Sequence, residues 1–331
     1  MKRSILVASL AHGPQDPVTE TPARVPGSVR RTTVIDQRRD GFGEPRRVVA
    51  SGRDLITRAD GTTGVLDAVT VTLEAGAAGT IDAITVDPPI DLSALLGLPN
   101  QHGFRRALDA ALPEQVEGAT VLHQLLDDLP MAELISGYGV TRDLGDDWDL
   151  PVESAEGLAD NCAGWKRGAT MLKAMDEHGI FPIPLGPPAP DLEAGDDPLA
   201  WHGHEPMVTR AIRRRRRIDV IAGDPLVVDV HFRDSHLGAE GPEDVLHEYT
   251  LRATVDPETL VVLSADAVAR TLPWPECPNA LGSAGWVVGQ PVTALRRKVA
   301  SELRGVETCT HLNDVLRSLA GVSSLAGALA R

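Results

Sequence analysis

The sequence predicts an α+β protein made of two similar units, each an antiparallel β-meander packed against about three helices. Three observations support this fold class. In each half, short runs of alternating apolar residues precede segments with helical periodicity. A stretch rich in Pro, Gly and Asp separates the halves. A segment near the C-terminus, residues 306–319, also matches residues 116–129 without a gap. The order of elements therefore repeats, which indicates an internal duplication.

Composition limits the class of protein. A chain of 331 residues is long for one hydrophobic core, so two units are expected. The net charge of −15 argues against nucleic-acid partners and anionic membranes, because phosphate contacts need excess Lys and Arg. No apolar run approaches the roughly 20 residues that span a bilayer. Three scattered cysteines suit a reducing compartment, so we expect a cytoplasmic protein; the sequence leaves open whether it is a homo-oligomer.

The first half begins with a loose N-terminal arm, residues 1–30, rich in Pro, Gly and polar groups. The first unit, residues 31–179, opens with predicted strands at 48–57, 66–73 and 81–86. Pro88 and Pro89 end this meander, and helical periodicity follows at 92–98, 104–112 and 122–129. A further helix is predicted at 158–177, and Cys162 on this helix is expected to pack in the protein core.

Residues 180–210 form a predicted linker, because Pro, Gly and Asp are dense there, and we expect His202 and His204 to be solvent-exposed. The second unit, residues 211–331, has predicted strands at 218–221, 226–231, 246–255 and 260–265. Its helices are predicted at 279–288, 292–303 and 312–319. The run of arginines at 213–217 is interpreted as a solvated strand entry that pairs with surface acids.

The two matching segments differ at the positions that could carry chemistry. Cys309 and His311 of the later segment replace Ala119 and Val121 of the earlier one. Reactive side chains in only one copy of a repeated scaffold indicate that a function was added to that copy. We therefore expect the functional site in the C-terminal half.

A metal site is the first hypothesis for these residues. Cys277 and Cys309 stand at predicted helix starts, where the helix dipole favours thiolate over thiol. His247 begins a strand, and His311 follows Cys309 by two positions. Thiolates and imidazoles are ligands of zinc and of iron–sulfur clusters. We predict a zinc site formed by these four residues, with an iron–sulfur cluster as the alternative.

The predicted function is that of a metal-dependent enzyme of hydrolase or lyase type acting on a small molecule. Zinc would activate water or polarise a carbonyl, and Asp234, His236 or Asp314 would move protons. Asp234 could equally cap a turn at the strand end. Arg39 and Asp40 could bind the substrate, although a surface ion pair explains them as well.

Three other functions remain open at this point. Cys309 could be a nucleophile without a metal, activated by His311 or His247. The protein could instead be a non-catalytic carrier of a metal, a cluster or sulfur, or a binding protein with a structural metal site. A carrier must expose Cys309 to its partner, whereas an enzyme should hold it at the floor of a cleft between the units.

Two resemblances follow from these motifs. The segment Cys309-Thr310-His311-Leu312 near the C-terminus, and Arg-Arg-Asp-Gly at 38–41, resemble a bacterial family known only as domain of unknown function 2889. The family name implies no reaction.

The second half is also similar to the iron–sulfur scaffold (NifU/IscU-like) fold. That resemblance implies a metal or cluster between Cys277 and Cys309, with His247 near the position of the strand carboxylate. The chain differs from the scaffold pattern at Val245, where the first cysteine would fall, and in having His311 after Cys309 rather than a histidine directly before it.

Overall fold

A single eight-stranded antiparallel sheet is the centre of the computed structural model, which describes residues 12–41, 43–101, 103–144, 157–178 and 182–330. The strand order is β4-β3-β2-β1-β5-β6-β7-β8. The bounds of the strands are β1 Ser28–Arg38, β2 Arg46–Thr57, β3 Thr63–Ala75, β4 Ile81–Asp87, β5 Ala211–Ile221, β6 Leu226–Leu237, β7 Glu243–Val255 and β8 Val262–Thr271. The chain thus forms two four-stranded meanders, β1–β4 and β5–β8, and the pairing of β1 with β5 joins them.

Seven α-helices occur among the described residues. They are α1 Phe104–Ala111, α2 Pro113–Glu117, α3 Val121–Leu144, α4 Thr170–His178, α5 Val292–Glu302, α6 Thr310–Ser318 and α7 Val322–Leu329. Short 3-10 segments at Ser93–Leu95, Ala163–Trp165, Cys277–Val287 and Leu319–Gly321 complete the set. Helices α3, α6 and α7 pack on the sheet, and two apolar clusters fill the space between them, one for each meander.

The opposite face of the sheet is covered by residues 12–27 and 182–206. Arg30 donates to the backbone carbonyls of Pro22 and Ala200, and Arg233 donates to those of Val18 and Pro190. The region predicted as a linker therefore packs against the sheet for most of its length. Residues 1–11 of the predicted arm and residues 180–181 of the predicted linker lie outside the described residues.

Two expectations about exposure are wrong for this reason. His202 is buried, and its two ring nitrogens contact the hydroxyls of Thr32 and Ser51 at 2.8 and 2.9 Å. His204 is largely covered and contacts Glu193. Both histidines stand in a segment whose composition is typical of a solvated loop, but the segment closes the sheet face.

The arginine run is not a solvated strand entry, because β5 is a central strand and all five guanidinium groups are buried. Alternate side chains point to opposite faces of a strand. Arg214 and Arg216 therefore face the helices, while Arg213 pairs with Asp36 on the other face. Each buried charge has a carboxylate partner, which offsets the large cost of removing it from water.

Several element predictions need correction. Strand β1 is not predicted, because its residues Arg30 to Thr33 are polar. Segments distant in the sequence bury them on both faces of the sheet. Helix α3 continues past Pro130 to Leu144, well beyond the predicted end at residue 129. The predicted helix at 158–177 exists only as α4, and residues 277–287 are 3-10 rather than α-helical. In each case tertiary contacts outweigh a weak local pattern.

No helix in the described part of the chain is both long enough and apolar enough to cross a membrane.

Candidate functional site

A cavity of about 320 Å³ lies between the second meander and the C-terminal part of α3. Residues 134–141 of α3 form one wall, and residues 158–171 and 182–186 form a second. The third wall is formed by residues of β7, of the 3-10 segment at Cys277 and of the start of α6. All three cysteines of the chain, together with His247 and His311, line this cavity.

The two imidazole rings meet because β7 and α6 pack together. His247 lies on β7 opposite Asp234 of β6, directly before a β-bulge in that pairing. His311 is in the first turn of α6. The ring centroids are 3.6 Å apart and the ring planes differ by 13°, so the rings are stacked. One potential ligand atom from each of Asp234, His247 and His311 lies within 4.8 Å of the other two.

Two polar atoms at this end of the cavity, Nδ1 of His247 and Nε2 of His311, are buried without a hydrogen-bond partner. The nearby Tyr249 hydroxyl has Cys309 as its partner. A buried polar atom without a partner costs about 1–3 kcal/mol, and such atoms are uncommon in folded proteins. Two such atoms on adjacent rings favour a site that accepts a ligand over side chains that only stabilise the fold.

Both imidazoles are held in the neutral form. Burial, together with the smaller effect of the positive charge of Arg214, lowers the pKa of His311 to about 3. Burial and the neighbouring His311 hold the pKa of His247 well below its usual range. Neutral imidazole has a free lone pair, which is the form that binds metal ions.

Asp234 is positioned by a buried salt bridge. Arg214 donates from Nε and Nη2 to its two carboxylate oxygens at 2.8 and 2.9 Å, and from Nη1 to Asp314 at 2.9 Å. Nε2 of His311 is 3.8 Å from the Asp234 carboxylate. Asp234 is therefore close to the His311 ring itself, whereas Asp314 is linked to Asp234 by their shared partner Arg214.

The thiols differ in their relation to the imidazoles. Sγ of Cys309 is 3.9 Å from Nδ1 of His311, whereas Cys277 packs against the backbone of Gly164. The structure thus brings three of the four predicted metal ligands together, His247, His311 and Cys309. Cys277 lines the same cavity without joining the Asp234–His247–His311 group.

The expectation that helix starts favour thiolates is wrong for both cysteines. Burial raises the pKa of Cys309, and it outweighs the opposing effects of the Tyr249 hydroxyl and of the first backbone N–H groups of α6. Burial also raises the pKa of Cys277 well above its usual value. Cys162, which also lines the cavity, has its pKa raised to about 11 by burial. The thiols are protonated unless a ligand stabilises the thiolate.

The remaining predicted site residues lie elsewhere. The His236 ring packs edge-on against Tyr138 of α3, and its Nε2 is 3.5 Å from Asp143. Arg39 is buried beside Glu133, whereas the Asp40 carboxylate is exposed and pairs with Arg38. Among the described residues, His236, Arg39 and Asp40 do not line the cavity.

Sequence reasoning assigned Asp234 to proton transfer and did not consider it as a metal ligand. Arg214 and Tyr249 were missed entirely. A sequence signal for Asp234 exists: Arg53-Asp54 and Arg233-Asp234 stand at equivalent places in β2 and β6. The role of Tyr249 has no comparable signal, because it depends on where α6 packs.

Comparison with known proteins finds one family model that matches about a third of the chain. Residues 212–324 match the model of a family described as a protein of unknown function (DUF2889). This match supports the predicted resemblance and covers β5–β8 with nearly all of the following helices; the Arg-Arg-Asp-Gly segment at 38–41 lies outside it. No curated protein and no solved structure matches the chain.

Proposed function

We propose that the protein is a small-molecule enzyme of hydrolase or lyase type, with a zinc site formed by Asp234, His247 and His311 and with Cys309 beside it. One observation carries the proposal: two buried, partnerless imidazole nitrogens lie next to a buried carboxylate at the end of a cavity. Two histidines, one carboxylate and a thiol are all ligand types that zinc accepts.

The three side chains are of types that bind zinc, but one of them must change its orientation to do so. Stacked parallel rings do not direct two lone pairs at one point, so one imidazole must rotate for both to bind the ion. Cys309 lies beside these three ligands, and the fourth position would stay open for the substrate, as a catalytic zinc site requires. Bound zinc would supply a Lewis acid that polarises a carbonyl oxygen of the substrate.

The residues of the chain would divide the other tasks. Arg214 holds the Asp234 carboxylate with two hydrogen bonds, so its orientation is determined before any ligand binds. The Tyr249 hydroxyl can donate to the Cys309 thiolate. Buried apolar walls exclude water from the reacting group, which strengthens each electrostatic contact there.

A second candidate function is a cysteine-nucleophile enzyme without a metal. The 3.9 Å contact between Cys309 Sγ and His311 Nδ1 favours it, because an adjacent imidazole can accept the thiol proton. Against it stands the direction of both pKa shifts, since a raised thiol pKa and a lowered imidazole pKa keep the pair neutral.

The carrier alternative and the resemblance to the iron–sulfur scaffold have less support. Cys309 is only 5% exposed and lines a cavity, whereas a carrier needs to present it to a partner. Both ideas stay predictions.

We further propose that the two meanders arose by internal duplication. Arg31 binds Asp54 from β1 to β2 as Arg214 binds Asp234 from β5 to β6, with two hydrogen bonds in each pair. A β-bulge follows both aspartates at the same step of the pairing with the next strand. Between the meanders, Arg30 binds Asp219 of β5, and Arg213 binds Asp36 of β1 in the reciprocal direction.

Zinc analysis of the purified protein tests the proposed function. We expect one zinc per chain in the wild type, and zinc loss in His247→Gln and His311→Gln. His123→Gln is the matched control, because His123 is buried with a partnerless Nε2 but lies in the first half, away from the cavity. Zinc should also raise the melting temperature of the metal-depleted wild type and not that of the two site variants.

Other outcomes separate the alternatives. If metal-depleted wild type takes up no zinc and iodoacetamide alkylates Cys309 rapidly, the nucleophile function replaces the metal function. Stoichiometric iron with a red-brown colour would support a cluster. Equal zinc content in all four proteins would overturn the proposed ligand set.

A further inference from the structure

The lining of the cavity determines which substrates it can accept. Among the described residues, it contains no Lys, Arg, Asp or Glu. Most of its members are apolar or aromatic: Leu134, Ile135, Trp165, Met171, Leu185 and Trp274. In the metal-depleted protein, a charged substrate group would lose its hydration there without gaining a partner of opposite charge, which costs far more than burying an apolar group.

The polar side chains of the walls are already committed to the protein. Gln15 donates to the Leu272 carbonyl, Tyr138 donates to that of Pro184, and Asn161 donates to that of Gly157. Thr141 donates to the carbonyl of Tyr138 one turn earlier in α3. Unsatisfied polar atoms are concentrated at the far end, at His247 and His311.

The rim of the cavity is apolar as well. Leu134, Leu158 and Leu185 come from three separate segments, and each is exposed, by 45%, 37% and 47%. Single exposed leucines are ordinary, but three that converge on one cavity form an apolar patch of the kind that marks a binding site. The bond from Tyr138 to Pro184 ties two of these segments together, so the rim has a defined shape.

The volume of the cavity limits the size of the ligand. An apolar cavity of about 150 Å³ accommodates one benzene molecule, and this cavity has about 320 Å³. It therefore has room for about two aromatic rings. The two tryptophans in the wall offer the flat apolar surfaces on which such rings pack.

We propose that the substrate of this site is an uncharged aromatic molecule of one or two rings, which enters between Leu134, Leu158 and Leu185 and presents its single polar group to His247 and His311. That the bound molecule is a substrate rests on the proposed function. The preference for uncharged aromatic molecules rests on the cavity lining alone.

Calorimetry with three probes tests the proposal on the metal-depleted and on the zinc-loaded protein. The probes are 2-naphthol, the anion 2-naphthoate and the saturated alcohol cyclohexanol. We expect 2-naphthol to bind the metal-depleted protein at least tenfold more tightly than 2-naphthoate and cyclohexanol do, and to quench tryptophan fluorescence. Tighter binding of the anion to the metal-depleted protein, or no binding of 2-naphthol to either form, overturns the inference.

Two variants test whether 2-naphthol binds in this cavity. Leu134→Glu places a charge at the rim and should weaken 2-naphthol binding at least tenfold. Leu66→Glu is the matched control, because Leu66 is also 45% exposed and lies on β3, outside the cavity lining. Equal binding by wild type, Leu134→Glu and Leu66→Glu would show that 2-naphthol binds elsewhere, and would overturn the inference.

The result is independent of the metal question. Binding of 2-naphthol to a protein that takes up no zinc would support the inference and remove the proposed metal function. Zinc uptake with preferred binding of 2-naphthoate would do the reverse.

Discussion

Arg31 with Asp54 in the first meander and Arg214 with Asp234 in the second form the same buried salt bridge beside the same β-bulge. Their surroundings differ. In the first meander the residue opposite the aspartate is Asp67, and in the second it is His247. The start of α3 supplies Val121 where α6 supplies His311.

The comparison distinguishes features that both meanders share from features of the candidate site. Each meander has this salt bridge, which links adjacent strands. Two imidazoles, a thiol and the cavity lie beside it in the second meander, whereas in the first meander His123 lies near Arg31. A change that affects both meanders equally therefore reports on the fold, and a change that affects one reports on the site.

The largest expected effect is on the shared salt bridge. Arg31→Met and Arg214→Met each leave a buried carboxylate without its partner, and breaking such a pair costs about 3–5 kcal/mol of unfolding free energy. Arg214→Met should be the more destabilising, because Asp314 loses the same guanidinium as Asp234. Urea unfolding of both variants measures the difference. Equal or reversed values would show that Asp314 gains little from Arg214.

The next effect concerns the site alone. Changing Cys309 to Ala and His311 to Val gives the second meander the residues of the first. We expect this double variant to lose zinc binding completely. Its unfolding free energy at pH 7 should change by less than about 1 kcal/mol, because a partnerless buried imidazole is removed together with its packing. The reverse pair, Ala119→Cys with Val121→His, is the control and should not bind zinc, since Asp67 replaces the second imidazole.

The metal-depleted protein should lose stability in acid because of His311 in the second meander. His311 has its folded-state pKa lowered to about 3, so the unfolded state binds the extra proton first as pH falls. Stability is therefore lost between about pH 6.5 and pH 3, by about 1.4 kcal/mol per pH unit for each such imidazole. His311→Val should flatten this slope in urea unfolding measured from pH 7 to pH 4.5. An unchanged slope would mean that His311 is not neutral in the fold.

The smallest effect is expected at Asp67, and its sign is opposite. Burial, together with the nearby Asp54 charge, raises the pKa of Asp67 above its usual value. The folded state therefore holds this proton more tightly than the unfolded state, and stability is lost as pH rises through the folded pKa. Asp67→Asn should raise the melting temperature at pH 7 and leave it unchanged near pH 3. A lower melting temperature at pH 7 would mean that the Asp67 charge is stabilising.

The sequence predicts the position of the candidate site better than the arrangement of its side chains. Cys309 and His311 are predicted because the matching segment at 116–129 lacks them, and His247 is predicted from its place at a strand start. Asp234 was assigned another role, and Cys277 was placed too close to the imidazoles. Spacing along the chain cannot determine which side chains meet when the ligands come from β6, β7 and α6.

The sequence by itself determined the α+β class, most of the strands and the half of the chain that carries the reactive residues, because alternation and a repeated segment are local patterns. Only the tertiary structure decided that the meanders join through β1 and β5, since Arg30 of β1 and Arg213 of β5 pair there with carboxylates far away in sequence. The neutral state of His311 and Cys309 was decided in the same way. Burial outweighs the helix dipole, and burial is a property of the packed molecule.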